Sequence, residues 1–402
     1  MLLFSINHFF VIIFISIVMK KNVVVIFGGK STEHDISILT SFQVRENIDK
    51  TKYNVIPVYI DKSGKWWIGE KLNKLETFKQ FKANNLSECA ILPDSQYLYI
   101  KKFNHYKKHV KINFAFLCNH GKNGEDGTLQ GLLELSNITY SSSSVLASSN
   151  GIDKISQKRI FESLSLPVVP YLPLSKVEYE AMNNQLKIDS MAFPLIVKPN
   201  SLGSSIGVSI CKNQKQLKQA LDLAFCFDDT VIIEMFIKKL KEVNISVLGN
   251  SQQVLLSQTE QPLTKDKFLT FNEKYCKGKK NKKITNKIKP YNKLSDGGLN
   301  NMGRIMPAKI TQEQDEMIKT YSTIVFKQLK CKGVIRIDYI IDQNDETLYI
   351  NEVNTIPGSF ANYLWKDKGY DFTALLDEII KLCEQEKQLQ EKLKLTFESN
   401  VL

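Results

Sequence analysis

Arg336-Ile-Asp338 is followed fourteen residues later by Glu352-Val-Asn354, and Thr-Ile-Pro-Gly358 closes the block. Asp338, Glu352 and Asn354 bring oxygen donors with no His or Cys beside them. Such a set suits hard cations such as Mg2+, which keep water and ligand phosphates as further ligands. Two short segments must position these groups. Residues 334–341 and 347–353 read as adjacent strands, with Gln343-Asn344-Asp345 as the turn. Alternation then puts Arg336 and Asp338 on one face of the first strand, and Glu352 and Asn354 on one face of the second. A hairpin with a solvated polar face would carry the same pattern, so the rest of the chain has to decide.

A second segment has the composition of a phosphate cradle. Pro199-Asn-Ser-Leu-Gly-Ser-Ser-Ile-Gly207 offers flexible backbone N–H groups and hydroxyls. Lys198 just before it, and Lys154 on the preceding helix, supply point charges. Gly29-Lys-Ser-Thr32 imitates the end of a Walker A loop, but the position that needs glycine is Val24, inside a strand. The dinucleotide pattern GxGxxG is absent.

The elements that would hold these groups follow from periodicity. Residues 23–27 are a continuous apolar run, as in a parallel strand buried on both faces. Gly28-Gly29 turns into a helix with Ile36, Thr40, Val44 and Ile48 on one face. Strands are expected at 55–60 and 113–117, and a short hairpin at Trp66-Trp67. Residues 19–141 therefore read as an open α/β sheet, with ligands gathering at strand ends, where Gly28-Gly29 and His120-Gly121 fall. Beyond it, residues 152–164 read as one helix, 195–198 and 230–234 as strands, and 214–224 as a helix. Strands dominate from 243, followed by a helix at 312–329 and a closing amphipathic helix at 372–384 with a frayed tail. Glu125 and Asp126 read as caps of the next helix.

Length and composition bound the class. The 402 residues suffice for two or three domains, and 43% hydrophobic content is ordinary for a globular chain. Seven scattered cysteines without a CxxC pair argue against a disulfide framework or a zinc site. The net charge of +12 hints at nucleic acid, but nine lysines lie between Lys274 and Lys293, and without them only +3 remains. A single lysine-rich loop with little aromatic content is a poor base-stacking platform, so no nucleic-acid partner is expected. Residues 2–18 are apolar but short for a membrane span, and they lead straight into the first strand. Residues 1–18 are read as an extension upstream of a start at Met19, with a membrane anchor as the alternative.

Five separated motifs then resemble the D-alanine–D-alanine ligases of the ATP-grasp superfamily. They are Gly28-Gly-Lys-Ser-Thr-Glu-His-Asp-Ile-Ser37, His120-Gly-Lys-Asn-Gly-Glu-Asp-Gly-Thr-Leu-Gln-Gly131, Val197-Lys-Pro-Asn-Ser-Leu-Gly-Ser-Ser-Ile-Gly207, Glu273-Lys-Tyr275 and the block from Arg336 to Gly358. The resemblance runs from about Met19 to about Glu384. It implies an α/β fold: an N-terminal open-sheet domain (19–141), then a two-part ATP-grasp unit (142–234 and 235–385), and a tail (386–402). It implies ATP, two Mg2+ or Mn2+ ions, D-alanine as substrate, a homodimer and a cytoplasmic place in peptidoglycan precursor synthesis.

The same resemblance assigns roles. Lys154, Lys198 and Lys274 would meet phosphates; Glu234, with the Phe236 and Ile237 backbone, the adenine; and Glu242 the ribose. Asp338, Glu352 and Asn354 would hold the metals. Glu33 would pair with the first D-alanine's ammonium beside His120, and Arg336 and the Gly358 N–H would bind the reacting carboxyl oxygen. Glu33, Ser204 and Tyr275 would form a hydrogen-bonded triad. Two departures stand out. The segment 277–302 is long and basic, and Tyr363-Leu364 stand where the family commonly has Ser-Leu for the second substrate's carboxylate. The acceptor could then be D-alanine, D-serine or D-lactate, with Tyr275 favouring D-alanine. Another ATP-grasp carboxylate–amine ligase is the nearest rival.

Overall fold

The computed structural model describes residues 20–182, 191–263 and 303–397. Lys274, Tyr275, the lysine-rich loop and the N-terminal extension lie outside the described residues. Among the described residues no helix is long and apolar enough to cross a membrane.

The first sheet grows from the all-apolar run. Strand Lys21–Gly28 pairs in parallel with Tyr53–Ile60 on one side and Phe114–Leu117 on the other. Val23 to Phe27 are all 0% exposed, as the continuous apolar pattern requires. Past Tyr53–Ile60 the sheet turns antiparallel through Trp66–Ile68, Ser87–Ile91, Tyr97–Lys102 and His105–Lys111. The open α/β expectation thus covers only part of this sheet. The edge strand His105–Lys111 is mostly exposed and carries lysines instead of an apolar face, which hid it from the hydrophobic pattern.

The helix after Gly29 is His34–Asn47. Ile36 is 47% exposed, against the expectation. Steps of four residues overshoot the 3.6-residue turn, so Ile36 drifts off the face that holds Thr40, Val44 and Ile48. The helix expected at 152–164 is Lys154–Ser163, and a separate helix, Val145–Ile152, precedes it. Asp153 breaks them by accepting the Ser156 N–H as an N-cap.

A small antiparallel sheet follows, ordered Ser209–Cys211, Leu195–Pro199, Thr230–Met235, Tyr171–Ser175, with helix Gln214–Ala224 packed on it. A second antiparallel sheet is ordered Val254–Leu256, Leu240–Gly249, Gly333–Asp342, Leu348–Asn354. Helix Gln312–Gln328 covers one of its faces.

The closing helix runs Phe372–Gln390, beyond the expected end. Its apolar side shares one core with Val23, Val25 and Phe27 of the first strand. Lys21–Glu384 and Lys52–Asp377 ion pairs, at 2.6 and 2.5 Å, tie the same elements together at the surface. The first strand and the closing helix therefore hold one another, and the turn Gly358–Leu364 packs into the same core.

Candidate active site

The strand pair Gly333–Asp342 and Leu348–Asn354 sets the register of the oxygen donors. Arg336 lies opposite Asn354, and Asp338 opposite Glu352. Arg336 clamps the Asp338 carboxylate with Nε at 2.6 Å and Nη2 at 2.7 Å, a bidentate geometry that fixes both planes. Asn354 Nδ2 also donates to Asp338 at 3.1 Å. Burial alone would raise the Glu352 pKa, but Lys154, Lys198 and Arg336 hold it below the usual carboxylate value. Lys154 Nζ is 3.5 Å from Glu352 and donates to Leu202 O at 2.7 Å, so one ammonium links the strand pair to the Ser/Gly loop.

Arg336, Asp338, Glu352 and Lys154 line a cleft of about 240 Å³ together with Lys198, Ser204, Glu234, Phe236, Ile237 and Glu242. Glu234 is 2% exposed. Its oxygens face Lys158 Nζ at 3.0 Å and Lys198 Nζ at 2.5 Å. Burial would raise its pKa, yet the two ammoniums bring it down to about 2. Burial, then the negative Asp338, raises Glu242. The floor of the cleft is thus a lattice of alternating charges, and buried cations stand ready for an anionic ligand.

A smaller inner pocket adjoins the cleft through Lys154, Leu202, Gly203 and Glu352, and is lined further by Glu33, Gly121, Glu125 and Asn354. Glu33 sits at the N-cap of helix His34–Asn47 but makes no capping bond. It accepts the Ser204 hydroxyl instead, at 2.5 Å. A Cβ on Gly203 would lie 3.2 Å from the Glu33 carboxylate, and one on Gly121 3.0 Å from it. Both glycines let backbone close around that carboxylate. The first sheet and the Ser/Gly loop therefore meet at Glu33.

The structure places the remaining expected residues less uniformly. His120 is buried behind the inner pocket. Its Nε2 meets Thr40 Oγ1 at 3.0 Å, and burial lowers its pKa to about 4. Leu364 is 0% exposed within the shared core. The Tyr363 hydroxyl donates to Glu260 at 2.6 Å. Gly358 opens a turn in which Ser359, Phe360 and Ala361 all have positive φ, at 52°, 54° and 49°. Left-handed backbone costs an L-residue roughly 1–2 kcal/mol, so this turn needs outside support. Ser359 Oγ bonds Gln43 Oε1, and the buried Phe360 ring packs edge-on against Phe116.

Three residues of the site were not expected from sequence. Lys158 is one helical turn beyond Lys154, so the i, i+4 spacing was a usable signal. Gln157, 2% exposed, accepts the Val353 N–H at 2.8 Å and fixes strand Leu348–Asn354 to the helix. Glu125 does not cap the following helix, whose N-cap is Gly127; Asp126 accepts the Thr128 N–H instead. Glu125 turns into the inner pocket and accepts the Gly121 N–H at 2.7 Å. Burial, then the nearby Glu33, raises it to about 8, so at neutral pH it is mostly the uncharged acid.

Asp338 and Glu352 line the cleft, and Glu352 and Asn354 line the inner pocket that adjoins it; their oxygen donors are of the type that suits a hard divalent cation. Among the described residues no group of three His, Cys, Asp or Glu gathers, so a cation here must draw further ligands from phosphate or water.

Residues 22–143 match the family described as D-ala D-ala ligase N-terminus, and residues 160–295 and 291–381 match its C-terminus. The chain belongs to the D-alanine–D-alanine ligase family. It is an ATP-dependent ligase with the ATP-grasp fold. It is similar to the D-alanine–D-alanine ligase of Thermosipho melanesiensis, 35% identical over 95% of this chain and 98% of that one. Among solved structures, the VanG D-Ala:D-Ser ligase of Enterococcus faecalis superposes with a TM-score of 0.73 at 28% identity, over 91% of this chain and 100% of that one. The Bacillus anthracis D-alanine–D-alanine ligase complexed with ATP gives 0.62 at 26%, over 92% and 99%.

Proposed function

We propose that this protein joins two D-alanines to D-alanyl-D-alanine through an acyl phosphate made at the expense of ATP, for peptidoglycan precursor synthesis. The observation that carries the reading is the contact between Glu33 and Ser204. It brings an amine-binding carboxylate against the loop that covers the phosphate lysines. A nucleotide-binding module alone has no use for that contact.

Carboxylates resist amines because oxide is a poor leaving group, and phosphorylation supplies a good one. Lys154 and Lys198 neutralise the transferring phosphoryl group, with Lys274 as their expected third. Asp338, Glu352 and Asn354 would hold two Mg2+ or Mn2+ ions, which supply charge neutralisation at the phosphates. Glu234 and the backbone of Phe236 and Ile237 face the adenine, and Glu242 the ribose. Glu33 orients the ammonium of the first D-alanine. Arg336 and the Gly358 N–H stabilise the tetrahedral oxyanion when the second amine attacks, and phosphate then leaves with the bonding pair. The Ser/Gly loop over Glu33 excludes water that would hydrolyse the acyl phosphate. A homodimer and a cytoplasmic setting are proposed on the family resemblance.

Phosphate release is the direct test. With ATP, Mg2+ and D-alanine the protein should release phosphate and form the dipeptide. Release that does not depend on D-alanine would refute the reading.

A further inference from the structure

The far edge of the first sheet carries a feature that ligation does not use. Strands Tyr97–Lys102 and His105–Lys111 form a hairpin whose residues line neither the cleft nor the inner pocket. Residues 95–111 hold five lysines, two histidines and no acid. Cross-strand pairing puts Lys101, Lys108 and Lys111 on one face with Tyr97, Tyr99 and Tyr106, and Lys102 and Lys107 on the other. Among the described residues, Lys101 alone of the five lysines pairs with a carboxylate, that of Glu88 at 3.2 Å. At the tip, Phe103 is 93% exposed and has a φ of +54°. Two-residue hairpin turns ordinarily put glycine, asparagine or aspartate at such positions. Lysines along an edge strand guard it against pairing with another chain, but that duty needs no bulky ring at the turn. A ring 93% exposed leaves the left-handed backbone without compensation inside the molecule, and so points to a partner outside it.

We propose that hairpin 97–111 docks this protein on an anionic lipid surface. Phe103 enters the boundary between headgroups and acyl chains, and the lysines meet headgroup phosphates. A ring rimmed by lysines suits that boundary, because lysine stems lie along apolar surface while their charges stay in water. Single-stranded RNA is the other polyanion that lysines and rings can meet. It needs a row of ring faces free for stacking, and the tyrosines of this hairpin are already engaged. Lys108 Nζ lies 4.6 Å over the Tyr97 ring, the Tyr99 hydroxyl is 2.8 Å from Ser95 Oγ, and Tyr106 donates to Glu88 at 3.1 Å. Phe103 protrudes alone, as a wedge rather than a platform. The hairpin contributes nothing to either pocket, so the docking is independent of the ligase reading.

The test pellets the full-length protein with vesicles of phosphatidylcholine alone and with vesicles carrying about 30% phosphatidylglycerol. The wild type should bind the anionic vesicles at least about tenfold more tightly than the neutral ones, and should lose that preference as NaCl rises from about 50 to about 500 mM. Phe103→Gly, and Lys102→Glu combined with Lys107→Glu, should each weaken binding at least about fivefold. These side chains are exposed and glycine suits a left-handed turn, so each variant's Tm should stay within about 2 °C of the wild type or rise above it. A Phe103→Gly variant with a lower Tm than that would show that the ring serves the fold, and would overturn the proposal. Equal binding to neutral and anionic vesicles would also overturn it. So would variants that bind as the wild type does, which would move the contact to other lysines, such as those between Lys274 and Lys293. A single-stranded RNA bound more tightly than the anionic vesicles, and lost by the same variants, would overturn it in favour of nucleic acid.

Discussion

Replacing Glu234 by glutamine should cost about 3 kcal/mol of folding stability at neutral pH. The carboxylate is almost fully buried, with one ammonium at 3.0 Å and another at 2.5 Å. Burial works against its charge, yet the two lysines bring its pKa from 4.5 to about 2. That gap, at roughly 1.4 kcal/mol per pH unit, amounts to about 3 kcal/mol. Breaking a buried ion pair costs roughly 3–5 kcal/mol. The lower end matches the gap above, and burial already holds the Lys158 pKa below the usual lysine value. The folded value lies below the ordinary one, so the stabilisation is complete above about pH 5 and is lost as pH falls towards 2. Urea unfolding followed by circular dichroism is the assay. At pH 7 and pH 5 the variant's midpoint should fall by up to roughly 1 M, since m is about 3 kcal/mol/M or more for a chain of this size. At pH 3 the difference between the two proteins should shrink to roughly 1.5 kcal/mol. A variant as stable as the wild type at pH 7, or a difference unchanged at pH 3, would refute the reasoning.

Other residues give shorter tests. Arg336→Ala and Glu352→Ala should each lower kcat/KM at least about 10²-fold while the circular dichroism spectrum stays native; more than a tenth of normal activity would contradict their roles. Gly28→Ala should destabilise by about 3 kcal/mol or more in thermal unfolding, because the new Cβ would sit 2.2 Å from the Ile60 carbonyl oxygen at a φ of +87°. His120 has a folded pKa of about 4 against 6.5, so the unfolded chain takes up that proton first. The wild type should therefore lose about 3 kcal/mol between pH 6.5 and pH 4 that a His120→Asn variant does not lose, read by urea titration at both pH values.

Much of this site was legible because it is built on strands. Period-two alternation put Arg336 and Asp338 on one face of their strand and Glu352 and Asn354 on one face of theirs, and the two strands are paired, with Arg336 opposite Asn354 and Asp338 opposite Glu352. The apolar run at Val23–Phe27 gave the first strand for the same reason. What stayed hidden depends on where the chain goes after a turn. Glu125 looked like a cap because acids favour helix starts, and only the fold shows it turned inward beside Glu33. The break at Asp153 was masked by apolar residues on both sides of it. Glu260 carries no local signal at all, since its partners lie 16, 44 and 103 residues away. The left-handed turn at Ser359–Ala361 has no glycine at its three positive-φ positions to announce it; buried packing and the Gln43 contact hold it instead.

The most direct measurement follows an oxygen atom. D-alanine carrying ¹⁸O in its carboxylate is incubated with ATP, Mg2+ and the protein, and the released phosphate is weighed by mass spectrometry. Activation of the carboxylate as an acyl phosphate predicts one labelled oxygen in each phosphate released. Unlabelled phosphate accompanying dipeptide formation would contradict it.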